Sequence, residues 1–167
     1  MARNYSLAIV LVAILAVPAL FLLFAHRLAV GAAGLKPGES LPALELVGLD
    51  GRPVDSRSWS GAPTLLVLFR STCGACEREI EGLTQIAPSL PEMRIILLSL
   101  DSAAPRVSTG FQVLCDPSGR VVRKLRKMMV PTLYLVNEKG TIVYVRTGLR
   151  EPESELAVFA GLLEQSR

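Results

Sequence analysis

The segment FRSTCGACERE, residues 69–79, decides the fold of this chain. The apolar run just before it, residues 64–69, predicts a buried strand, and a polar turn then leads to Cys73 and Cys76 at the start of a predicted helix. Two sulfurs on one helical turn can close and reopen a disulfide with little backbone movement. A helix N-terminus favours the thiolate of Cys73, the species that attacks another disulfide. We predict that Cys73 attacks and that Cys76, which is less exposed, releases the mixed disulfide.

Other uses of a Cys-x-x-Cys pair need a different setting. A structural zinc site takes four ligands, and the sequence adds only Cys115 and His26 to the pair. Haem attachment requires His directly after the second cysteine, where this chain has Glu77. A static disulfide remains possible, although so short a loop stabilises a fold little. These comparisons favour a redox dithiol with no bound metal and no cofactor beyond the disulfide itself.

The N-terminal region has the composition of a membrane anchor. Residues 7–25 carry no charge, are interrupted only by Pro18, and are long enough to cross a bilayer as one helix. A cleavable signal peptide is the alternative, since small residues follow, but the apolar stretch is longer than usual for one. We predict an anchor over residues 1–30 that contacts the lipid bilayer. Positive charges on both flanks leave its orientation undecided.

The rest of the chain predicts one domain. Residues 31–42 are rich in Gly and Pro and predict a linker, and residues 43–167 alternate strands and helices. The predicted order is a β-hairpin, a strand, a helix, two strands, a helix, a second hairpin and a closing helix. This order indicates an α/β fold with a mixed sheet flanked by helices.

Three features outside the cysteine pair have ordinary structural interpretations. Trp59 is expected to pack in the core. Cys115 is expected to be a small buried hydrophobe, with a regulatory thiol as the alternative. The basic face of the helix near residues 120–127 is expected to be a solvated surface. Attraction to anionic headgroups or to an acidic partner is its alternative, which the net charge of +3 permits. No nucleic-acid partner is expected.

The strand, the Cys-x-x-Cys helix start, the tripeptide Val130-Pro131-Thr132 before a strand and the hairpin turn at residues 137–140 together resemble the thioredoxin fold. The N-terminal hairpin, the extra strand near residues 111–115 and the anchor resemble, more narrowly, the membrane-tethered TlpA/ResA type within the AhpC/TSA-redoxin-like superfamily. The resemblance covers roughly residues 38–163.

The resemblance implies roles for particular residues. Cys73 matches the attacking cysteine and Cys76 the resolving one. Pro131 matches a cis-proline beside the dithiol. Glu79 matches an acidic residue that accepts the proton of the resolving cysteine, with a solvated helical Glu as the alternative. The substrate-binding positions implied are Thr72, Val130 and Thr132.

Some positions depart from the family pattern. Thr72 stands where family members usually have Trp, and Gly74-Ala75 lies between the cysteines in place of a more common Pro-containing pair. Because this dipeptide has no charge or His, we expect a reducing couple, at about −200 to −300 mV.

The resemblance implies a thiol–disulfide oxidoreductase on the bacterial inner membrane, with its domain facing the periplasm or the outside. Its expected partners are client proteins with cysteine pairs and a transmembrane thiol electron donor. The expected clients await haem or copper during cytochrome c or terminal oxidase maturation. A methylamine-dehydrogenase accessory thioredoxin and a copper-delivery module are the alternatives. A peroxidase is disfavoured, because Arg70 stands where its nucleophile motif needs Thr.

Overall fold

The computed structural model describes residues 14, 16–21, 34–127 and 129–165. The chain divides into two compact units, Met1–Gly34 and Leu35–Arg167. In the first unit, residues 14 and 16–21 are helical and exposed. Most of the predicted anchor, residues 7–25, lies outside the described residues. Within the described ranges, no helix combines the length and the apolar character needed to cross a membrane.

The second unit is built on one seven-stranded sheet with three α-helices. In spatial order the strands run β2-β1-β5-β4-β3-β6-β7. Strand β3 pairs in parallel with β4, and β4 with β5, whereas the remaining neighbours are antiparallel. The elements are β1 (Glu45–Gly48), β2 (Pro53–Asp55), β3 (Thr64–Phe69), α1 (Gly74–Ile86), β4 (Arg94–Ser99), β5 (Gln112–Cys115), α2 (Arg120–Leu125), β6 (Thr132–Val136), β7 (Ile142–Thr147) and α3 (Pro152–Gln165).

This order confirms the predicted thioredoxin-like α/β fold, and the two hairpins lie where the sequence places them. Single-turn 3-10 helices, Ser56–Trp59 and Ala87–Ser89, complete the connections. The loop over residues 101–110 contains no regular element, as expected from its polar composition.

Strand β3 lies at the centre of the core because all six of its residues are buried. Side chains alternate across a strand, so Leu65, Val67 and Phe69 pack with α1 and α3 on one face. Leu66 and Leu68 pack on the other face, against α2 and the N-terminal hairpin. Burial of each such leucine contributes about 2 kcal/mol. Trp59 and Cys115 are both buried, which confirms the packing predicted for them.

The compact unit begins earlier than the predicted domain start at residue 43. Residues 35–42, predicted as part of a linker, are hydrogen-bonded to the domain. The N–H of Gly38 donates to Ile142 at 2.8 Å and that of Leu41 to Gly140 at 2.8 Å, and Ser40 forms an isolated bridge with Thr141. The linker composition was misleading here because a Gly- and Pro-rich segment can still pair by its backbone with the tip of the β6–β7 hairpin.

Close contact between two helices fixes the position of α3. Gly82 on α1 faces Pro152, the first residue of α3, and a Cβ atom at Gly82 would lie 2.9 Å from Pro152 Cγ. Because glycine has no such atom, α3 can approach α1 closely. This approach places the first turns of α3 beside the helix that begins at the cysteines.

The short helix α2 depends on a single carboxylate for its N-terminus. Asp116, which is buried, accepts hydrogen bonds from the backbone N–H groups of Arg120, Val121 and Val122 at 3.1, 2.8 and 3.1 Å. These donors have no partner within the helix. A helix of six residues has few other bonds with which to hold its first turn.

We predict that Asp116→Ala lowers the free energy of unfolding by about 1–2 kcal/mol, because the cap is lost. Ser118→Ala is the matched control: it removes the hydroxyl contact with the same carboxylate and a longer hydrogen bond from the Arg120 N–H at 3.3 Å, but leaves the three bonds to Asp116 in place, and it should cost less. Thermal or denaturant unfolding of both variants measures the difference. Equal stability of Asp116→Ala and the parent would contradict this account of the helix.

Candidate active site at the paired cysteines

Cys73 and Cys76 form a disulfide at the N-terminus of α1, with their Cα atoms 5.2 Å apart. Cys73 is the residue that caps the helix, and its Sγ accepts a hydrogen bond from the N–H of Cys76 at 3.1 Å. Its carbonyl accepts from the N–H groups of Cys76 and Glu77. Cys73 is half-buried and Cys76 is fully buried. The sulfur of Cys73 is therefore the accessible one, and the helix N-terminus stabilises negative charge on it.

The loop before the dithiol is held by Asp101, which follows β4. Its Oδ2 accepts from the N–H of Ser71 at 2.9 Å and from the Ser71 hydroxyl at 2.8 Å, and its Oδ1 accepts from Ser99 at 2.9 Å. The N–H of Cys73 donates to Arg70 in the same loop. Burial pushes the pKa of Asp101 upward, but the hydrogen bonds from Ser71 and Ser99 outweigh it, so the pKa lies below its ordinary value. Asp101 therefore anchors the segment that presents Cys73.

The peptide bond between Val130 and Pro131 is cis, as the resemblance implies. The residues around this bond, 129–132, are called the cis-proline loop below. The N–H of Gly148 donates to Pro131 O at 2.9 Å. Thr132 is buried, and its hydroxyl bonds to Met129 O at 2.7 Å and lies 3.1 Å from the Thr147 hydroxyl.

These contacts separate the three predicted substrate-binding positions. Thr132 was predicted to face a substrate, but its side chain is enclosed and supports the loop from beneath. Thr72 is exposed beside Cys73, and Val130 is half-buried. Among the described residues, none forms a backbone hydrogen bond with Val130. Val130 thus has no backbone partner in the described part of the chain, and the substrate roles of Thr72 and Val130 stay predictions.

Glu79 is buried, with only 3% of its side chain exposed, so it is not a solvated helical residue. The Nη2 of Arg146, on β7, donates to Glu79 Oε1 at 2.5 Å, and Arg146 Nε donates to Glu155 Oε1, on α3, at 3.1 Å. Arg146 Nη1 donates to the carbonyl of Gly148. Glu79, Arg146 and Glu155 are called the buried ion cluster below. The cluster joins α1, β7 and α3, and its member Glu79 lies three residues after Cys76 on α1.

The surroundings of Glu79 make its carboxylate easier to protonate than it would be in water. Burial raises the pKa of Glu79, and Glu155 adds to that rise, whereas Arg146 and the backbone of Arg150 oppose it. No described residue gives Glu79 Oε2 a hydrogen bond of normal geometry, although this oxygen is buried. Residues three apart on a helix are neighbours on its surface, so this carboxylate lies one turn from Cys76. Its position suits the predicted proton acceptor, a role that remains a prediction.

The sequence analysis did not identify Arg146, Glu155 or Asp101. Arg146 lies opposite Leu133 in the sheet. A charged residue paired with a buried strand residue is the one feature that could have indicated a buried ion pair. Glu155 precedes Phe159 by four residues, which places both on the inward face of α3. Only the folded chain shows that Arg146 and Glu155 meet Glu79.

No group of three or more His, Cys, Asp or Glu side chains capable of holding a metal ion occurs in the described part of the chain. Cys115 is a free, buried thiol on β5, and burial raises its pKa. Met129, the first residue of the cis-proline loop, is exposed. Met128 and His26 lie outside the described residues.

Comparison with known proteins agrees with this geometry. The model of the AhpC/TSA family matches residues 37–145, and the chain belongs to that family. It is 25% identical over 122 residues to the thiol-disulfide oxidoreductase ResA of Halalkalibacterium halodurans, covering 68% of this chain and 69% of that protein. It is 19% identical over 115 residues to ResA of Bacillus thuringiensis subsp. konkukian, covering 64% and 66%. The chain thus spans about two thirds of the length of these curated relatives.

A solved structure extends the likeness in the fold. The crystal structure described as thiol:disulfide interchange protein DsbE from Chlorobium tepidum aligns with a TM-score of 0.68 at 23% identity, covering 78% of this chain and 97% of that one. Likeness at this identity concerns the fold alone. Together with the disulfide at the helix start, the chain has the family, the fold and the paired cysteines of a thiol–disulfide oxidoreductase.

We predict that Asp101→Asn destabilises the protein by about 1 kcal/mol at neutral pH, because charged acceptors bind the Ser71 and Ser99 donors more strongly. The folded-state pKa of Asp101 lies below its ordinary value of 3.8. The stabilisation is therefore present above about pH 4 and is lost as the pH falls below that value. Unfolding curves between pH 3 and pH 7 measure the difference between parent and variant.

Glu138→Gln, in the exposed turn between β6 and β7, is the matched control for Asp101→Asn. Its effect should be small and should not follow the same pH dependence. A gap between parent and Asp101→Asn that stays constant down to pH 3 would contradict the assignment of the anchor to the ionised carboxylate.

Proposed function

We propose that this chain is a membrane-tethered reductase of disulfides in extracytoplasmic client proteins, held at the bacterial inner membrane by residues 7–25. One observation carries the catalytic part of the proposal. An accessible cysteine at a helix N-terminus is disulfide-bonded to a buried partner. The cis bond before Pro131, and the lack of a backbone hydrogen bond between Val130 and any described residue, support a substrate-pairing role for the cis-proline loop. The apolar composition of residues 7–25 supports the tether.

The proposed reaction begins with the reduced dithiol. The Cys73 thiolate attacks one sulfur of a client disulfide, which forms a mixed disulfide and releases the other client sulfur as a thiolate. Cys76 then attacks the Cys73 sulfur, and the bond between Cys73 and the client breaks. The client leaves with two electrons, and the chain is left with the Cys73–Cys76 disulfide. A transmembrane thiol electron donor is the proposed source of the two electrons that restore the dithiol.

Three residues other than the cysteines have proposed roles in these steps. The peptide groups of Val130 pair with an extended client segment, which is strand addition at a free edge. Thr72, exposed next to Cys73, contacts the same segment. Glu79 accepts the proton that Cys76 loses when it attacks. Because Cys76 is buried, solvent cannot easily take this proton, and a carboxylate one helical turn away can.

The proposed clients are proteins whose cysteines must be reduced before a cofactor is inserted. These are an apocytochrome c before haem attachment and the copper site of a terminal oxidase. The relatives are named thiol-disulfide oxidoreductases, which supports the reaction class rather than a particular client. An accessory thioredoxin for methylamine dehydrogenase is the alternative within this class, and it would use the same reaction on another client.

A copper-delivery module is the alternative from a different class. Thiolates are soft ligands suited to copper(I), and Met129 is exposed in the cis-proline loop. Against this reading, Cys76 has no exposed surface, whereas a metal donor must present its ligands to the acceptor. Copper(I) titration of the reduced protein distinguishes the two. Disulfide turnover without metal supports the reductase, and stoichiometric copper(I) binding without turnover supports the copper module.

We predict that Cys76→Ala accumulates a mixed disulfide on Cys73, because the attack proceeds but its resolution cannot. Diagonal electrophoresis of membranes, under reducing and non-reducing conditions, followed by mass spectrometry identifies the partner. The matched control is Cys73→Ala, which should trap at least tenfold less client because only the buried sulfur remains. Trapping through Cys76 in that control, or none through Cys73, would overturn the assigned order.

A further inference from the structure

Arg146 is shared between two buried carboxylates. Its Nη2 contacts Glu79 Oε1 at 2.5 Å and its Nε contacts Glu155 Oε1 at 3.1 Å, while only 8% of the arginine side chain is exposed. Glu79 and Glu155 are 3% and 2% exposed. With both carboxylates ionised, the three side chains carry a net charge of −1 away from water. A buried excess of negative charge favours the uptake of one proton.

The surroundings direct that proton to one of the two carboxylates. Arg150 Nε lies 3.6 Å from Glu155 Oε2, so a second cation faces Glu155. Arg150 is 40% exposed, and solvent screens its charge, but no side-chain cation other than Arg146 is ion-paired to Glu79 in the described ranges. Glu79 Oε2 and Glu155 Oε2 are both buried without a hydrogen bond of normal geometry. They differ in their cations, because Glu155 Oε2 faces Arg150 whereas Glu79, among the described residues, is ion-paired only to Arg146 and meets Arg150 through its backbone. Glu79 Oε2 is therefore the place in the cluster where a proton is best received.

The other titratable group at the buried ion cluster is consistent with this assignment. Tyr144 on β7 interacts with Arg146, Arg150 and Glu155, and burial together with Glu155 raises the pKa of its phenol, so it remains neutral and does not compete for the proton. The charged residues that act on Glu79 are Arg146 on β7, Glu155 on α3 and, through its backbone, Arg150 before α3. Cys76 lies three residues before Glu79 on the same helix.

We propose that Arg146 and Glu155 are positioning residues for Glu79: Arg146 holds its carboxylate toward Cys76, and Glu155 draws part of the arginine away. Because Glu79 and Glu155 share the guanidinium of Arg146, this sharing sets the pH range in which Glu79 can accept the Cys76 proton. This inference rests on the proposed function, because it concerns the step in which Cys76 resolves the mixed disulfide.

The contacts of Arg146 also reach the substrate side of the site. Its Nη1 bonds to the carbonyl of Gly148, and the N–H of Gly148 bonds to Pro131 O. One arginine therefore fixes both the proton acceptor on α1 and the strand end that supports the cis-proline loop. A change at Arg146 affects both, whereas a change at Glu155 affects the acceptor and leaves the contact with Gly148 in place.

The resolution step can be isolated with Ellman's reagent as the disulfide probe. The reduced protein, in a Cys115→Ala background, attacks the reagent through Cys73 and releases one thionitrobenzoate. Cys76 then attacks the Cys73 sulfur, the Cys73–Cys76 bond forms, and the second thionitrobenzoate leaves with the electron pair. The proton of Cys76 passes to Glu79. The rate of the second release, followed from pH 4 to pH 9, reports the protonation of this carboxylate.

Two substitutions should move the acid limb of this profile in opposite directions. Glu155→Gln removes a neighbouring negative charge, so Glu79 becomes the only carboxylate that Arg146 neutralises. The acid limb should therefore move about one pH unit lower. Arg146→Gln removes the cation and should move it about one unit higher. One unit corresponds to about tenfold in rate on the acid side. Arg146→Lys restores the positive charge but cannot contact both carboxylates as the guanidinium does. Its acid limb should lie between those of Arg146→Gln and the parent.

The controls separate this inference from the proposed function. Glu153→Gln is the same change at an exposed position of the same helix and should leave the limb where it is. Glu79→Gln should abolish the limb. A parent protein that releases no second thionitrobenzoate at any pH would overturn the proposed function. A parent that resolves normally, with the limb unmoved in Glu155→Gln or still present in Glu79→Gln, would overturn only the inference.

Where Arg146→Gln fails to fold because it leaves two carboxylates unpaired, Glu155→Gln decides the question. Its amide oxygen can still accept from Arg146 Nε, so the shape of the cluster is kept while one charge is removed. A shift of its limb to higher pH, like no shift at all, would contradict the shared-arginine account. A shift to lower pH in this variant alone supports it.

Discussion

Burial of strand β3 on both faces is the constraint on which the rest of the structure depends. All six of its residues are enclosed, so helices must cover both sides of the sheet, and the chain can change direction only beyond Phe69. Because β3 and β4 run parallel, their carboxyl ends lie at the same edge. The loop that carries Cys73 and the Asp101 that anchors it therefore meet at this edge. The position of the reactive sulfur follows from the packing of an apolar strand.

The site combines an exposed reaction surface with a buried charged interior. Thr72 is exposed and Cys73 and Val130 are half-buried, whereas Cys76 and both carboxylates of the buried ion cluster are buried. Ionised groups are costly to bury unless they are paired, and here each carboxylate of the cluster contacts Arg146. In the proposed reaction Glu79 accepts the proton of Cys76, because water is largely excluded from this buried thiol. That proposal links the arrangement of charges to the chemistry of Cys76.

Much of the fold was predictable because its signals are local. Alternation or continuity of apolar residues identified every strand, and the spacing of Cys73 and Cys76 placed the start of α1. The cis peptide bond before Pro131 was implied only by resemblance, since a proline before a strand is equally compatible with a trans bond. The boundary at residue 43 was drawn too late, because the pairing of residues 35–42 with the second hairpin depends on a partner about a hundred positions away.

The sequence by itself determined which strand is central, where the helix begins and which sulfur caps it, because these depend on neighbours within a few residues. Tertiary structure alone decided the surroundings of Glu79. Its helix position was readable, but the residues that enclose it, Arg146 and Glu155, lie 67 and 76 positions further along the chain. Tertiary structure also decided that Thr132 supports the cis-proline loop from within. Ion pairs and hydrogen bonds between elements that are far apart in sequence produce no periodic pattern in the sequence. Only the folded chain reveals them.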